Sequence, residues 1–411
     1  MRPRASSRLY QTASRSWLTA AVCSLVLPRG IRLGLWLPLH LALVGAASVA
    51  ISGAMQSFAL TMTASADPPD PLVWLQFALV NAGALMIVVG HPSGDGWLVA
   101  IGGVAFVAGA LILGWIVLRS WRRALNRRHA LIIRMYLIAV GCVVVGGGLG
   151  AIVGSGKVRD PSVYVALRYA HETLNVLGWV SLTIAATLVT LLPTTLRIRM
   201  PLWHGASTAS LLVAGVVALA AGLALRSAAL AGAGALAYAA GAIGVTWMVL
   251  RGVRTPHRWR PPLAAKHLLC AVAWFLYGSI AMAAGILRDG PAGFDGFRGS
   301  FLLIFVAGWI VQTLLGAWLY LLPMAKPAHP DERRRSLMGI ELGAGGQILA
   351  LNVGIALILV ARAGWLPSGT GTIGVVLAIA GVTMALLKAW LFVPLGRMGP
   401  AGSQAKETWG P

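Results

Sequence analysis

Two histidines in this 411-residue chain lie where histidine is expensive. His40 and His171 each fall about eight residues into a long apolar run, ~12 Å deep at 1.5 Å per residue, and burying an ionisable ring in hydrocarbon costs several kcal/mol. Two imidazoles at matched depth on neighbouring helices can be the axial ligands of a haem or part of a copper site. The plainer alternative is that each makes an interhelical hydrogen bond. The other six histidines sit differently: His91, His129, His204, His257 and His329 fall in loops, and His267 follows Lys266 at a helix edge. A solvated or headgroup role is expected for all six.

Around His171 the chain reads Arg168-Tyr-Ala-His171-Glu172-Thr-Leu-Asn175. Arg168 and Glu172 are spaced for an i,i+4 ion pair. Asn175, four residues beyond His171, shares its face and is placed to orient the ring. Arg168 and Arg298 are placed to meet haem propionates. Cys23, Cys142 and Cys270 have no zinc or redox spacing and are expected to be packing residues.

The elements that must position these residues are membrane helices. Hydrophobic residues make up 58% of the chain and charged residues 11%, about half the charge of an average soluble domain. That excludes a soluble enzyme, a disordered chain and a disulfide-stapled domain. Apolar runs fall at 17–28, 33–63, 72–90, 97–118, 131–153, 163–193, 206–225, 228–250, 267–287, 299–323, 338–361 and 369–393. At ~20 residues per crossing this predicts an all-α protein of about twelve transmembrane helices, the first of marginal length. The predicted layout is one membrane domain: a tail at 1–16, a bundle at 17–393 and a tail at 394–411. Pro28-Arg29-Gly30 offers no signal-peptide cleavage site, so 17–28 is expected to stay as a helix.

A net charge of +22 would suggest nucleic acid in a soluble chain, but here the basic residues lie in short loops. With twelve spans, 22 of the 33 Lys and Arg residues fall on the side of the two termini. That asymmetry predicts cytoplasmic termini, with a lipid bilayer and no nucleic acid as partner.

Self-comparison predicts a repeat. Gly178-Trp179, Thr183 and Leu191-Leu192-Pro193 return 130 residues later as Gly308-Trp309, Thr313 and Leu321-Leu322-Pro323; Arg168 and Arg298 share the offset. Trp115…Leu118-Arg119-x-x-Arg122 returns at an offset of 132 as Trp247…Leu250-Arg251-x-x-Arg254. Both matches advance by four helices, predicting three parallel pseudo-repeats of four and disfavouring inverted-repeat transporters.

Trp36-Leu-Pro-Leu-His40-Leu-Ala-Leu-Val-Gly45 and Ala170-His171-Glu-Thr-Leu-Asn175-Val-Leu-Gly178-Trp179 resemble helices of the NnrS family and, more distantly, of subunit I of haem–copper oxidases. The resemblance implies twelve helices in three arcs, with haem and copper held by helix histidines. It makes His40 a haem ligand and puts His171 where the oxidases supply a copper ligand. The chain departs from the oxidases in helices seven and ten, which carry no histidine; Phe301 stands one period beyond His171. A complete dinuclear centre is not expected, nor is reductase activity. The expected role is to hold haem or copper between helices two and six, for electron transfer or for handling nitrosative or metal stress, with a redox partner or a copper oxidase as companion. The alternatives are a cofactor-free small-molecule permease and a structural subunit that docks a partner copper oxidase.

Overall fold

The computed structural model describes residues 3–198, 205–253, 261–325 and 330–392. These form helices with no strand among them. In chain order they are α1 (Pro3–Ser24), α2 (Trp36–Thr63), α3 (Asp70–Gly90), α4 (Gly96–Arg122), α5 (Ala130–Gly154), α6 (Pro161–Leu196), α7 (Gly205–Ala224), α8 (Ala228–Val253), α9 (Leu263–Asp289), α10 (Pro291–Met324), α11 (Pro330–Glu341), α12 (Ala344–Arg362) and α13 (Ser368–Leu391). Eleven, all but α1 and α11, are long and apolar enough to cross a bilayer. The protein is an all-α polytopic membrane protein.

Two sequence boundaries need correction. The segment read as a tail at 1–16 with a short span at 17–28 is instead one 22-residue helix from Pro3 to Ser24. Its packed face, Tyr10, Ser14, Leu18 and Ala21, repeats every three or four residues, a helical stripe that its polar members hide from a hydropathy count. Buried Arg15 donates from Nη1 to the carbonyl of Ala389 on α13 at 2.7 Å, tying the two ends of the chain together. The run 338–361 is likewise two helices, because Gly343 takes a left-handed conformation (φ 65°) between α11 and α12.

The repeat is visible in the packing. The second helices of the three units, α2, α6 and α10, have 61–78% of their apolar stretches buried, against 22–50% in the other eight spans. They form the inner ring. Each widens into a π-helical stretch, at Leu41–Ala47, Leu174–Ser181 and Leu302–Val311, a departure that recurs at functional sites. Inside each stretch one glycine takes the first helix of its own unit. A Cβ on Gly45 would stand 2.6 Å from Trp17, one on Gly178 2.7 Å from Cys142, and one on Gly308 2.7 Å from Trp274. Trp17 Nε1 donates to Asn81 Oδ1 at 2.8 Å, and Trp274 Nε1 to Asn352 Oδ1 at 2.7 Å, the same bond in units one and three.

Neighbouring units are joined by a second repeated bond. Trp179 Nε1 on α6 donates to Ser48 Oγ on α2 at 3.0 Å, and Trp309 Nε1 on α10 to Ser181 Oγ on α6 at 2.9 Å. In each case the donor is one residue, and the acceptor three residues, beyond its unit's glycine. The remaining side of the ring would pair Ala46 with Val311, and both belong to one apolar cluster. Donor and acceptor are both absent on that side, so neither an indole nor a serine hydroxyl is left without the other there.

Candidate functional site

All the sequence-predicted site residues line a single cavity. It measures about 550 Å³ and opens at the end of the bundle formed by loops 25–35, 91–95 and 155–160, here the mouth face. His40 and Trp36 come from α2, His171, Arg168, Glu172 and Asn175 from α6, and Arg298 from α10. Most of the remaining wall is apolar, with Leu39, Leu43, Val44, Phe106, Val143 and Val176 among it.

The two histidines stand level with each other. Each lies eight residues before the bond that joins their helices, His40 before Ser48 and His171 before Trp179. His40 is four residues past the start of α2 and His171 ten past the start of α6, rather than about eight in each, because α6 begins earlier. Their ring geometry is alike. His40 Nδ1 lies 2.8 Å from the carbonyl oxygen of Trp36, and His171 Nδ1 lies 2.7 Å from that of Gly146 on α5. A carbonyl oxygen only accepts, so each Nδ1 carries the proton and each Nε2 keeps its lone pair. That tautomer is the one a metal-bound imidazole uses, with a second-shell carbonyl on its other nitrogen.

Gly146 and Gly150 make the slot for His171. A Cβ on Gly150 would stand 2.4 Å from the ring's Cε1 and 2.5 Å from Nδ1; one on Gly146 would meet the Asn175 amide at 2.7 Å. Nothing in the spacing of these glycines marks that role in the sequence. The sequence placed Asn175 to orient the ring. The Asn175 amide instead donates to the backbone carbonyl of His171 at 2.7 Å. It comes within 3.1 Å of Nδ1 as well, but a protonated Nδ1 cannot accept, so Gly146 sets the ring.

Two other histidines depart from expectation. His91, read as a loop residue, lines the cavity. The Trp36 indole is sandwiched between His40, with ring centroids 3.9 Å apart, and His91, at 4.2 Å. His267, read as a helix-edge residue, is wholly buried, and its Nε2 is 2.8 Å from Gln347 Nε2 on α12. His204, His257 and His329 lie outside the described residues.

The charged groups form one network. Glu172 is held by Arg298, from Nε at 2.9 and 2.8 Å and from Nη2 at 2.6 Å. The expected i,i+4 partner is more distant, Arg168 Nε lying 3.8 Å from Glu172. The Tyr169 hydroxyl donates to Asp295, and a Cβ on Gly299 would run into the Arg362 guanidinium. Two arginines thus share one carboxylate at the cavity's edge, leaving it net positive. Among the described residues no group of three or more His, Cys, Asp or Glu side chains is placed to hold a metal ion. No protein-family model matches the sequence, and comparison with the curated proteins finds no match.

Proposed function

We propose that His40 and His171 would hold a haem between α2 and α6 of this membrane protein, which serves electron transfer or the handling of nitrosative or metal stress. The observation that carries the reading is the pair of imidazoles in one apolar cavity, each with Nδ1 engaged by a carbonyl and Nε2 free for a ligand bond. An apolar chamber of this size with arginine at one edge suits a flat hydrophobic macrocycle bearing two carboxylates. Arg168, held only loosely by Glu172, is the better placed of the two arginines to pair with a propionate; Arg298 is already engaged. A lone copper ion would have the same two nitrogens but would make no use of the chamber or its charge. When bound, the haem would supply a one-electron couple. The chain's part is to fix both tautomers, exclude water and hold the charged edge. The positive-inside count favours cytoplasmic termini, which puts the mouth on the outer side, and the resemblance to the NnrS family points to a bacterial plasma membrane.

The test is the absorption spectrum of protein purified from haem-supplemented cells. A low-spin spectrum is expected, lost in His40→Ala and in His171→Ala and retained in His267→Ala, whose ring is bound to Gln347. Wild-type protein that takes up no haem, or a spectrum indifferent to both substitutions, overturns the reading.

A further inference from the structure

A second cavity, of about 390 Å³, lies among the three inner helices. Ser57 and Thr61 of α2, Thr183 and Thr187 of α6, and Thr313 and Met324 of α10 are in its wall. These residues follow the π-helical stretches, so the cavity lies toward the face that carries the chain termini, here the terminal face. Val180 belongs to the walls of both cavities. Trp179, its indole buried and donating to Ser48, lines the histidine cavity and not the second one, and stands next to Val180.

At the mouth the charges are not balanced. Arg29, Arg32, Lys157 and Arg159 stand on the loops that form the rim. The acidic groups on this face are tied to the fold. Asp95 caps α4 by accepting from the Leu98 N–H at 2.9 Å. Asp160 caps α6 by accepting from Ser162 and Val163, and these bonds hold its carboxyl below the usual range. Asp289 pairs with Arg288, Asp295 accepts from Tyr169, and Glu172 is held by Arg298.

We propose that the histidine cavity is a one-sided, anion-selective site: anions enter it from the mouth face alone, drawn by the basic rim, and Trp179 bonded to Ser48 closes it to the terminal face. The ligand class is a small or amphipathic anion, carboxylate-bearing or inorganic. The proposal concerns the cavity of the haem reading but rests on its rim charge and closure, and it stands whether or not haem is the occupant. A cleft lined by one sign of charge raises the local concentration of the opposite ion by tenfold or more, and salt weakens the effect.

The test uses full-length protein in proteoliposomes, with Cys23→Ser, Cys142→Ala and Cys270→Ser as background and Ser155→Cys to report which face is outward. Val44→Cys places a thiol in the mouth cavity and Ser57→Cys one in the axial cavity; Val176→Cys repeats the first measurement should Val44→Cys not fold. The probes are the membrane-impermeant methanethiosulfonates bearing a sulfonate or a trimethylammonium group, with rates normalised to a free thiol. Modification of Val44→Cys is expected from the mouth face only, at least about tenfold faster with the anion at low salt. That preference should fall toward unity when Arg29, Arg32, Lys157 and Arg159 are all changed to Gln. Ser57→Cys is expected to react from the terminal face only, and Trp179→Ala to expose Val44→Cys to that face. Equal or faster reaction with the cation, reaction of Val44→Cys from the terminal face with Trp179 present, or no reaction from the mouth overturns the proposal. None of these outcomes involves haem, so failure here and failure of the haem reading are separate results.

Discussion

The slot for His171 can be tested by adding a single methyl group at two places on one helix. Gly148 and Gly150 are both in α5. A Cβ on Gly148 meets nothing within 4 Å, whereas one on Gly150 falls 2.4 Å from His171 Cε1 and 2.5 Å from Nδ1. Replacing glycine by alanine within a helix gains up to about 1 kcal/mol, and Gly148→Ala should show that gain. Gly150→Ala has the same gain, but the imidazole must move, at an overpacking cost of about 1–3 kcal/mol. The displaced ring also gives up its 2.7 Å bond to the Gly146 carbonyl, a further loss of about 1–3 kcal/mol if that oxygen stays buried and unpaired. The balance is a net destabilisation of about 2 kcal/mol, read as a fall of a few degrees in the thermal midpoint of tryptophan fluorescence in a fixed detergent. In a His171→Ala background the three atoms nearest the new methyl, all in the imidazole, are gone, so Gly150→Ala should change sign and stabilise. A Gly150→Ala protein as stable as Gly148→Ala, or no coupling between Gly150→Ala and His171→Ala, would refute the slot.

Two further predictions concern charge. Glu172→Gln leaves the Arg298 guanidinium without its anion; with side chains 12% and 32% exposed, the pair is discounted for solvent and the loss should be about 1–2 kcal/mol, with Arg298→Gln adding little more in the double variant. Additive losses in that cycle would show that the pair is not coupled. His91, just beyond α3, has its imidazole pushed below its ordinary value by burial. The unfolded chain therefore takes up its proton first as pH falls, and stability is lost from about pH 6.5 downward through the lower native value. His91→Gln should flatten the dependence of the thermal midpoint on pH between 8 and 5.5 and leave the upper end unchanged. An unaltered slope would contradict the assignment.

The spans, the four-helix period and the residues that gather around His40 and His171 were legible in the sequence because each is a one-dimensional signal. A run of ~20 apolar residues must cross or be buried, and Gly178-Trp179 recurs as Gly308-Trp309. His40, His171, Arg168, Glu172, Asn175 and Arg298 do share one cavity. What the sequence withheld depends on what lies across a helix interface. Gly146 and Gly150 look like any of the fifty glycines until His171 is seen above them. His267 sits one residue after a lysine, yet its partner Gln347 is 80 residues away. The stripe of α1 was hidden because Ser14 and Arg15 occupy buried positions, which a hydropathy window counts as polar surface.

Three equivalent interfaces between inner helices invite three equivalent sites, and the side chains at the second interface explain why one was not built there. At the α6–α10 interface the position one period beyond His171 is Phe301, which is wholly buried. Phe301 packs against Phe294 with ring centroids 5.2 Å apart, and Phe294 against Tyr169 at 5.1 Å. Aromatic rings occupy the volume that an imidazole pair would have left open, and rings of this size pack densely enough to exclude both water and a ligand. The same interface is then clamped at its outer edge by Arg298 on Glu172. That ion pair therefore does two jobs: it seals α6 against α10 and puts a guanidinium at the edge of the cavity on the other side of α6. The open chamber between α2 and α6 survives because small residues, Gly147, Gly150 and Gly154 of α5 and Gly103 of α4, stand in its wall. The histidine cavity thus sits where the repeat is broken, and the unbroken positions supply the frame that holds it.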